Sequence, residues 1–397
     1  MTEREARERA RKLRFFRLLG IVFLMMIFLL SFLRLIWPRK AYSAQERRTL
    51  AQLPEMTTEN LRNGTFSNAM EDYLADQFPA RNVWVYLDDL RGRIMGEKYS
   101  QGVYRSGSSY LIEEFKRTDD ARAAKTTKAV LDYLREYPDI PAYFMLVPNA
   151  SWILKDKLPS GAPIDSEEDW YTSWAQEVKN ANLSNLKVVS LASAFTEETV
   201  QGKQIYYRTD HHWTTYGAYV GAKNLAAEMG LPFDTQEWKK VEVHNRFQGT
   251  LMSKSGFYSR TADTIELYLP DPDIECVTAY KEQQKTLPGL YSSEGLAGDD
   301  PYEVFFGGNY PWLNISTKAK TNRKLLIFKD SYANAMIGFL CPFFSEIHVV
   351  DPRYYTGDIR TLTASAGITD ICFLYNIKTY YEDASLSLIL EGGEADE

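Results

Sequence analysis

The apolar positions of this chain alternate between helical periodicity and short unbroken runs. Apolar side chains recur at helical spacing near residues 66–78, 118–137, 166–180 and 214–229. Short apolar runs bounded by turn residues, which are typical of buried strands, lie at 141–148, 186–191, 324–330, 346–350 and 370–376. Strands that alternate with helices predict an α/β fold with a mostly parallel sheet.

The pattern becomes irregular between residues 245 and 322. Short β-like pieces such as "TIELYLP" (264–270) and "YEVFFGGNY" (302–310) are separated by Gly, Pro and Ser, and no helical periodicity is visible. This composition predicts an insertion of loops and strands. The acidic C-terminal residues "EGGEADE" (391–397) are expected to be solvated.

One apolar run near the N-terminus is long enough to cross a membrane. The stretch "LLGIVFLMMIFLLSFL" (18–33) carries no charge, and it reaches Trp37 if Arg34 snorkels. At about 1.5 Å per helical residue, about twenty residues match a hydrocarbon core of about 30 Å. We therefore predict a basic tip (1–17), a transmembrane anchor (18–37), a linker (38–65) and one large domain (66–397).

The charges that flank the run predict its orientation. Basic residues outnumber acidic ones on its N-terminal side, which favours a single-pass protein of the cell membrane with a cytoplasmic N-terminus and an extracytoplasmic domain. A cleavable signal peptide is an alternative, because Ala41-Tyr42-Ser43 loosely resembles a small-x-small cleavage site. A buried core helix is a third interpretation, which the basic flank and Trp37-Pro38 disfavour.

The basic charge is confined to the N-terminus. The first 40 residues carry a net charge of +7 against −7 for the whole chain, so the remainder carries −14. This distribution argues against a nucleic-acid-binding protein. The three cysteines, Cys276, Cys341 and Cys372, lack metal-ligand spacing and allow at most one disulfide in an extracytoplasmic domain.

Candidate chemistry first appears where the strand "KLLIFKD" ends. Ligands bind at the carboxyl ends of parallel strands, and Ser331 follows this strand directly. A serine there can expose its hydroxyl beside backbone N–H groups able to stabilise an oxyanion. The alternative is that Ser331 merely caps the next helix, a role that serine commonly fills.

A nucleophilic serine needs a base, and the chain has four histidines. His348 lies inside the apolar strand "EIHVV" and is expected to be a core residue, while His244 lies in a strand-like segment. His212 lies two positions after Asp210, so a turn lets the carboxylate orient the imidazole toward a serine, as in a Ser-His-Asp triad. A metal site is the alternative for the paired histidines, although adjacent histidines suit it less well than two on one helix face.

These residues carry a family resemblance. Asp-His-His-Trp at 210–213, followed by Asp-Ser-Tyr at 330–332, resembles the bacterial DHHW family, which is related to the J- and X-type alginate O-acetyltransferase proteins. Three further stretches are similar: "QERRTLAQLPE" (45–55), "EDYLADQFPARNVW" (71–84) and "DPRYYTGD" (351–358). Ordinary SGNH hydrolases place Gly-Asp-Ser first, whereas here the serine follows the Asp/His pair and Lys329 stands where Gly is expected.

The resemblance implies an SGNH-hydrolase-like three-layer α/β/α fold with Asp210, His212 and Ser331 as the triad. His211 then falls where the relatives have a non-catalytic Thr. The implied activity is O-acetylation of hydroxyls on a cell-surface or secreted polysaccharide through an acetyl-serine intermediate, with no cofactor and no metal. The implied partners are the polysaccharide acceptor, a multi-pass membrane O-acyltransferase as acetyl donor and, through the N-terminal helix, the membrane.

Other residues are candidates for oxyanion or substrate binding in this interpretation. Asn309, between the glycines of "FFGGNYPW" and Tyr310, is proposed as an oxyanion donor, although a simple turn explains "GGN" as well. Arg353 and Tyr354 follow the strand "EIHVV", and Asn149 and Ser151 follow "FMLVP", so all four lie at predicted strand ends. A solvated or capping role explains them equally well.

Two other functions remain open. A carbohydrate acetyl esterase would use the same triad with water in place of the acceptor hydroxyl. An anchored glycan-binding or assembly protein would retain the fold without catalysis, and the 26 Tyr and 8 Trp would suit sugar stacking as well as a core.

Overall fold

Residues 3–43, 48–107 and 109–392 are described by the computed structural model, which divides the chain into two units, residues 1–95 and 96–397. Most of the acidic tail, and part of the family-like stretch 45–55, lie outside the described residues. The predicted domain start at residue 66 stays a prediction; the helices that follow it, up to residue 95, belong to the first unit.

A single long helix dominates the first unit. Within it, Arg11–Arg34 form a segment of 24 residues with a mean hydropathy of 2.5, long and apolar enough to cross a membrane. The basic tip belongs to the same helix. The elements of this unit are α1 (Glu3–Ile36), β1 (Tyr42–Ser43), β2 (Arg48–Thr49), α2 (Thr58–Arg62), α3 (Thr65–Asp76) and α4 (Arg81–Met95).

The second unit is built on a central sheet. Its strands are β3 (Tyr99–Ser100), β4 (Val103–Arg105), β5 (Leu111–Glu113), β6 (Ala142–Val147), β7 (Leu186–Val188), β8 (Glu237–Phe247), β9 (Asp263–Asp271), β10 (Cys276–Tyr280), β11 (Lys285–Pro288), β12 (Trp312–Thr317), β13 (Lys324–Lys329), β14 (Glu346–Val350) and β15 (Asp370–Asn376). Its helices are α5 (Asp120–Arg135), α6 (Ala150–Ile153), α7 (Glu167–Asn180), α8 (Ala192–Val200), α9 (Thr215–Met229), α10 (Thr250–Ser255), α11 (Ser293–Ala297), α12 (Ile359–Ala366), α13 (Ile377–Glu382) and α14 (Ser385–Glu391).

The eight strands of the central sheet run in the order β11-β10-β12-β14-β13-β15-β6-β7. The five strands from β14 to β7 are parallel, as predicted. Alternate side chains of β13 point to opposite faces: Leu325 and Ile327 join one apolar cluster with α9, and Leu326 and Phe328 join another with α5 and α7. The three-layer α/β/α architecture is therefore confirmed.

The irregular segment 245–322 is more integrated than its pattern indicated. Its strands β10, β11 and β12 extend the central sheet in antiparallel fashion, and it contains the short helices α10 and α11. The prediction of a strand in "YEVFFGGNY" is wrong. Asp300 caps a 3-10 turn that begins at Pro301. The residues that follow this turn, Phe306, Gly307 and Gly308, have positive φ values, which are incompatible with a strand.

The helix expected after Ser331 is also different. Three short 3-10 turns, Ser331–Ala335, Ile337–Phe339 and Cys341–Phe343, replace a continuous α-helix. Gly338 weakens helical structure and Pro342 supplies no backbone N–H, so the segment cannot maintain the α-helical hydrogen-bond ladder. The chain nevertheless turns tightly at the carboxyl end of β13.

Candidate active site

The turn 209–213 holds both histidines in a defined geometry. Asp210 Oδ1 accepts a hydrogen bond from the backbone N–H of His212 at 2.9 Å, the pattern by which Asp stabilises a turn. Thr214 then caps α9 by accepting a hydrogen bond from Gly217 N at 3.1 Å. The turn and the helix cap together fix His212 immediately before a buried helix.

Asp210, His212 and Ser331 converge, although the serine lies 119 positions after the histidine. His212 Nδ1 lies 2.6 Å from Asp210 Oδ1, and His212 Nε2 lies 2.7 Å from Ser331 Oγ. Asp210 and His212 are buried, while Ser331 is half-buried. The arrangement has the hydrogen-bonding pattern of a nucleophile, a base and an orienting carboxylate.

Asp330, rather than Ser331, caps the turn that follows β13. Its side chain accepts hydrogen bonds from Tyr332 N and Asn376 N, each at 2.9 Å. The capping role considered for Ser331 is therefore filled by its neighbour, and the Ser331 hydroxyl faces His212. Asp330 also ties the end of β13 to the end of β15.

One aromatic residue stacks on the imidazole, and another supports the turn that carries Ser331. The Tyr302 ring stacks on His212 with centroids 4.0 Å apart and an interplanar angle of 14°, and its hydroxyl donates to Ser331 O at 3.2 Å. Trp213 Nε1 donates to Tyr332 O at 2.9 Å. Trp213 fits because Gly221 lacks a side chain; a Cβ at Gly221 would lie 2.8 Å from the indole ring.

Burial sets the protonation of the pair. Burial, together with the nearby His211, lowers the pKa of His212 to about 4 against the opposing effect of Asp210. Burial alone would raise the pKa of Asp210, but the two histidines and hydrogen bonds from His212 and Thr250 hold it well below its ordinary value. At neutral pH the site thus contains a carboxylate and a neutral imidazole able to accept a proton.

The same residues are close enough to hold a metal ion, since ligand atoms of Asp210, His211 and His212 lie within 4.8 Å of one another. These atoms are already engaged. Asp210 binds His212 and Thr250, His211 Nδ1 contacts Thr250 Oγ1, and His212 Nε2 faces Ser331. This network suits proton transfer better than ion binding.

Asn309 is hydrogen-bonded to the 3-10 turn that begins at Ser331. Its Oδ1 accepts hydrogen bonds from Lys329 Nζ at 2.8 Å and from Asn334 Nδ2 at 3.0 Å. Asn334 is three residues after Ser331 in a 3-10 turn, so the two share one face. The Asn309 oxygen is thus held by two donors, and its exposed side chain is linked through Asn334 to the turn that carries Ser331.

Arg353 belongs to a buried ion network beside this amide. It makes a bidentate pair with Asp351 at 2.8 and 2.7 Å, and Asp351 also accepts from Lys329 Nζ at 2.9 Å. Tyr354 is exposed, with its ring 5.4 Å from the Arg353 guanidinium. Lys329, the departure from the Gly expected in SGNH hydrolases, thus links Asp351 to Asn309.

Asn149 and Ser151 are not brought to the triad by any hydrogen bond of the described residues. Asn149 N and Ser151 Oγ donate to the buried Glu167 carboxylate at 2.7 and 3.2 Å, and the Asn149 side chain accepts from Asn376. Burial raises the pKa of Glu167 to about 7. These strand-end residues form an internal polar cluster instead.

The sequence did not single out Thr250 and Tyr302, which contact the triad, or Asp351, which pairs with Lys329 and Arg353. Tyr302 and Thr250 lie in the segment predicted to be an insertion, where no periodicity pointed to the sheet edge. Asp351 is the first residue of the family-like stretch "DPRYYTGD" (351–358), so the sequence did contain a signal for this position.

The three-layer fold and the Ser-His-Asp geometry at its strand ends define an SGNH-hydrolase-like protein. Residues 109–309 match the family model described as SGNH hydrolase-like domain, acetyltransferase AlgX, and the chain belongs to this family. The match includes Asp210 and His212; Ser331 lies beyond it and is assigned by geometry.

Curated relatives and solved structures agree with this assignment. The chain is 27% identical over 208 residues to a probable alginate O-acetylase AlgJ of Pseudomonas putida, covering 50% of this chain and 51% of the relative. It is 26% identical over 177 residues to the AlgJ of Azotobacter vinelandii, covering 42% and 44%. The chain thus spans about half the length of the curated relatives it matches.

Two solved structures share the fold. A DHHW family protein from Eubacterium siraeum is 26% identical with a TM-score of 0.62, covering 75% of this chain and 98% of that one. Bacillus cereus PatB1, in a structure with a sulfonyl adduct, is 21% identical with a TM-score of 0.57, covering 71% and 97%. The DHHW and SGNH-like resemblance is therefore confirmed.

Proposed function

We propose that this protein is a membrane-anchored, extracytoplasmic O-acetyltransferase that acetylates hydroxyls of a cell-surface or secreted polysaccharide. The observation that carries the proposal is the 2.7 Å contact between His212 Nε2 and Ser331 Oγ, with Asp210 on the opposite ring nitrogen. Membership of the AlgX family and similarity to alginate O-acetylases support acetyl transfer as the reaction.

The first half of the reaction acetylates the serine. His212 Nε2 takes the Ser331 proton as Oγ attacks the carbonyl carbon of an acetyl ester or thioester. The tetrahedral intermediate collapses when the bond to the leaving group breaks, and the His212 imidazolium returns its proton to that group. Asp210 keeps the Nδ1 proton in place and stabilises the imidazolium.

The second half transfers the acetyl group. A sugar hydroxyl gives its proton to His212 Nε2 and attacks the acetyl-serine carbonyl, and the Ser331 oxygen leaves with that proton. The oxyanion of each intermediate accepts hydrogen bonds from the Ser331 backbone N–H and the Asn309 amide. In this proposal Arg353 and the exposed Tyr354 contact the acceptor sugar; Arg353 is linked to Asn309 through Asp351 and Lys329.

The N-terminal helix supports a place for this chemistry at the membrane. With the basic tip in the cytoplasm, α1 would hold the domain outside, where acetyl-CoA is absent and the polysaccharide is present. A multi-pass membrane O-acyltransferase would then supply the acetyl group. No metal or other cofactor has a part in these steps.

The test is acetyl transfer by the purified full chain in detergent, with Ser331→Ala as the variant. Wild type should label at Ser331 with a sulfonyl fluoride and turn over an acetyl ester, while Ser331→Ala should lose about 10³-fold or more in rate. Normal labelling of Ser331→Ala, or unchanged turnover, would refute the triad. A folded wild-type protein that neither labels nor turns over the ester would favour a glycan-binding role. Turnover that a polysaccharide acceptor fails to accelerate would identify an acetyl esterase.

A further inference from the structure

Gly249 and Thr250, which belong to a different segment from the triad residues, contact the Asp210 carboxylate. Thr250 begins α10, 40 residues after Asp210, in the segment predicted to be an insertion. Its backbone N–H donates to Asp210 Oδ2 at 2.7 Å, and its hydroxyl oxygen lies 2.9 Å from the same atom. Asp210 Oδ2 therefore has two donors from one residue, which leaves Oδ1 to His212.

The backbone before Thr250 is packed directly against the aspartate. Gly249 N donates to Thr209 Oγ1 at 2.9 Å, and a Cβ at Gly249 would lie 2.1 Å from Asp210 Cβ. Real atoms do not approach so closely, so this position accepts only glycine without displacement of the backbone. The close approach is what brings both Thr250 donors within reach of the carboxylate.

The Thr250 hydroxyl also connects Asp210 to His211. Its oxygen lies 2.7 Å from His211 Nδ1. Because an ionised carboxylate is the stronger acceptor, the single hydroxyl proton is assigned to Asp210, and the oxygen accepts a hydrogen bond from His211 Nδ1–H. His211, Thr250, Asp210, His212 and Ser331 then form one continuous hydrogen-bond chain.

We propose that Thr250 is a positioning residue that fixes the Asp210 carboxylate so that one oxygen faces His212. The close backbone approach that Gly249 permits brings Thr250 within hydrogen-bond reach of this carboxylate. Carboxylate torsions are broad and have no strong intrinsic preference, so the orientation has to come from hydrogen bonds. Asp210 has four of them, two from His212 and two from Thr250. The inference rests on the proposed function, because the carboxylate matters through the base that it orients.

The experiment compares Thr250→Val with Thr250→Ser in the full chain. Valine has the shape of threonine without the hydroxyl, and serine restores the hydroxyl. We expect Thr250→Val to lose about 10- to 100-fold in kcat, because small misplacements of a catalytic group are costly, with KM within about twofold. Thr250→Ser should stay within about threefold of wild type.

Thr363→Val is the matched control. Thr363 is buried where Thr250 is half-buried, and its hydroxyl is hydrogen-bonded to the Tyr133 hydroxyl at 2.6 Å, away from the triad. Its variant should match Thr250→Val in thermal stability but keep wild-type kcat. A pH profile adds a readout that a structural role would not move: the acid limb of kcat for Thr250→Val should shift to higher pH, because an Asp210 carboxylate with one hydrogen bond fewer attracts the His212 imidazolium more strongly and raises the pKa of His212.

The outcomes separate the two ideas. If Ser331→Ala is inactive while Thr250→Val keeps wild-type kcat and pH profile, the positioning role is wrong and the proposed function stands. If Ser331→Ala is active, the proposed function itself is wrong. If Thr250→Val fails to fold, Thr250→Ala takes its place, and equal rates for Thr250→Ala and Thr250→Ser would overturn the inference.

Discussion

The buried imidazole predicts that activity persists at acidic pH. His212 must be neutral to accept the Ser331 proton, and its pKa is lowered to about 4 because burial disfavours the imidazolium. A lowered pKa leaves the neutral form populated above about pH 4. The rate should therefore rise with pH through about 4 and then level off.

The size of the effect follows from the fraction of neutral imidazole. At about pH 5.5, a pKa of about 4 leaves about 97% of His212 neutral, whereas the ordinary value of 6.5 would leave about 9%. The structure thus predicts about tenfold more activity at this pH than a solvated histidine would allow. Replacing His211 with Asn should move the acid limb to higher pH, because the charge of His211 lowers the pKa of His212.

The assay measures kcat/KM for 4-nitrophenyl acetate from about pH 3.5 to about pH 8, with product read after quenching into base. Circular dichroism at each pH separates titration of the site from acid unfolding. His348→Asn is the control, because His348 is also a buried histidine with a lowered pKa but lies in β14 against Trp312. An acid limb near pH 6.5 in folded wild type would refute the desolvated base.

Three further predictions concern Tyr302, Asn309 and the buried Glu167. Tyr302→Leu removes the ring stacked on His212 and should lower kcat about tenfold, with Tyr302→Phe much closer to wild type in the same esterase assay. Asn309→Ala removes the proposed oxyanion donor and should lower kcat about 100-fold with little change in KM; an unchanged kcat would exclude Asn309 from that role. Glu167, whose pKa is raised from 4.5 to about 7, destabilises the fold as pH rises through that range, by up to about 3 kcal/mol. Glu167→Gln should therefore gain stability over wild type at about pH 8 and not at about pH 4.5, as measured by urea unfolding.

The parallel strands and the triad could be predicted from the sequence because each has a local signal. The strands β6, β13, β14 and β15 are nearly continuous apolar runs, since both faces of a central parallel sheet are covered by helices. Ser331 lies at the carboxyl end of one such strand, and Asp210 and His212 lie in one short turn. Family resemblance paired the turn with the serine.

The contacts from segment 245–322 had no such signal. Thr250 and Tyr302 reach the triad through tertiary packing of a segment whose own periodicity is irregular, and its strands join the sheet in antiparallel order. A glycine before a threonine is common in loops, so "GT" at 249–250 carried no information until Asp210 was placed against it. Local patterns report local structure, and these residues act at a distance in sequence.

Asp330 and Ser331 have separate roles: Asp330 caps the turn after β13, and Ser331 offers its hydroxyl to His212. One residue could not do both. A polar residue at this turn has to satisfy the backbone N–H groups of Tyr332 and Asn376, and Asp330 does so with its two carboxylate oxygens. If Ser331 capped the turn itself, its hydroxyl would be committed to the backbone and His212 would lack its partner. The cap at Asp330 therefore explains how the serine, placed at a turn that demands a polar residue, keeps its hydroxyl for the histidine.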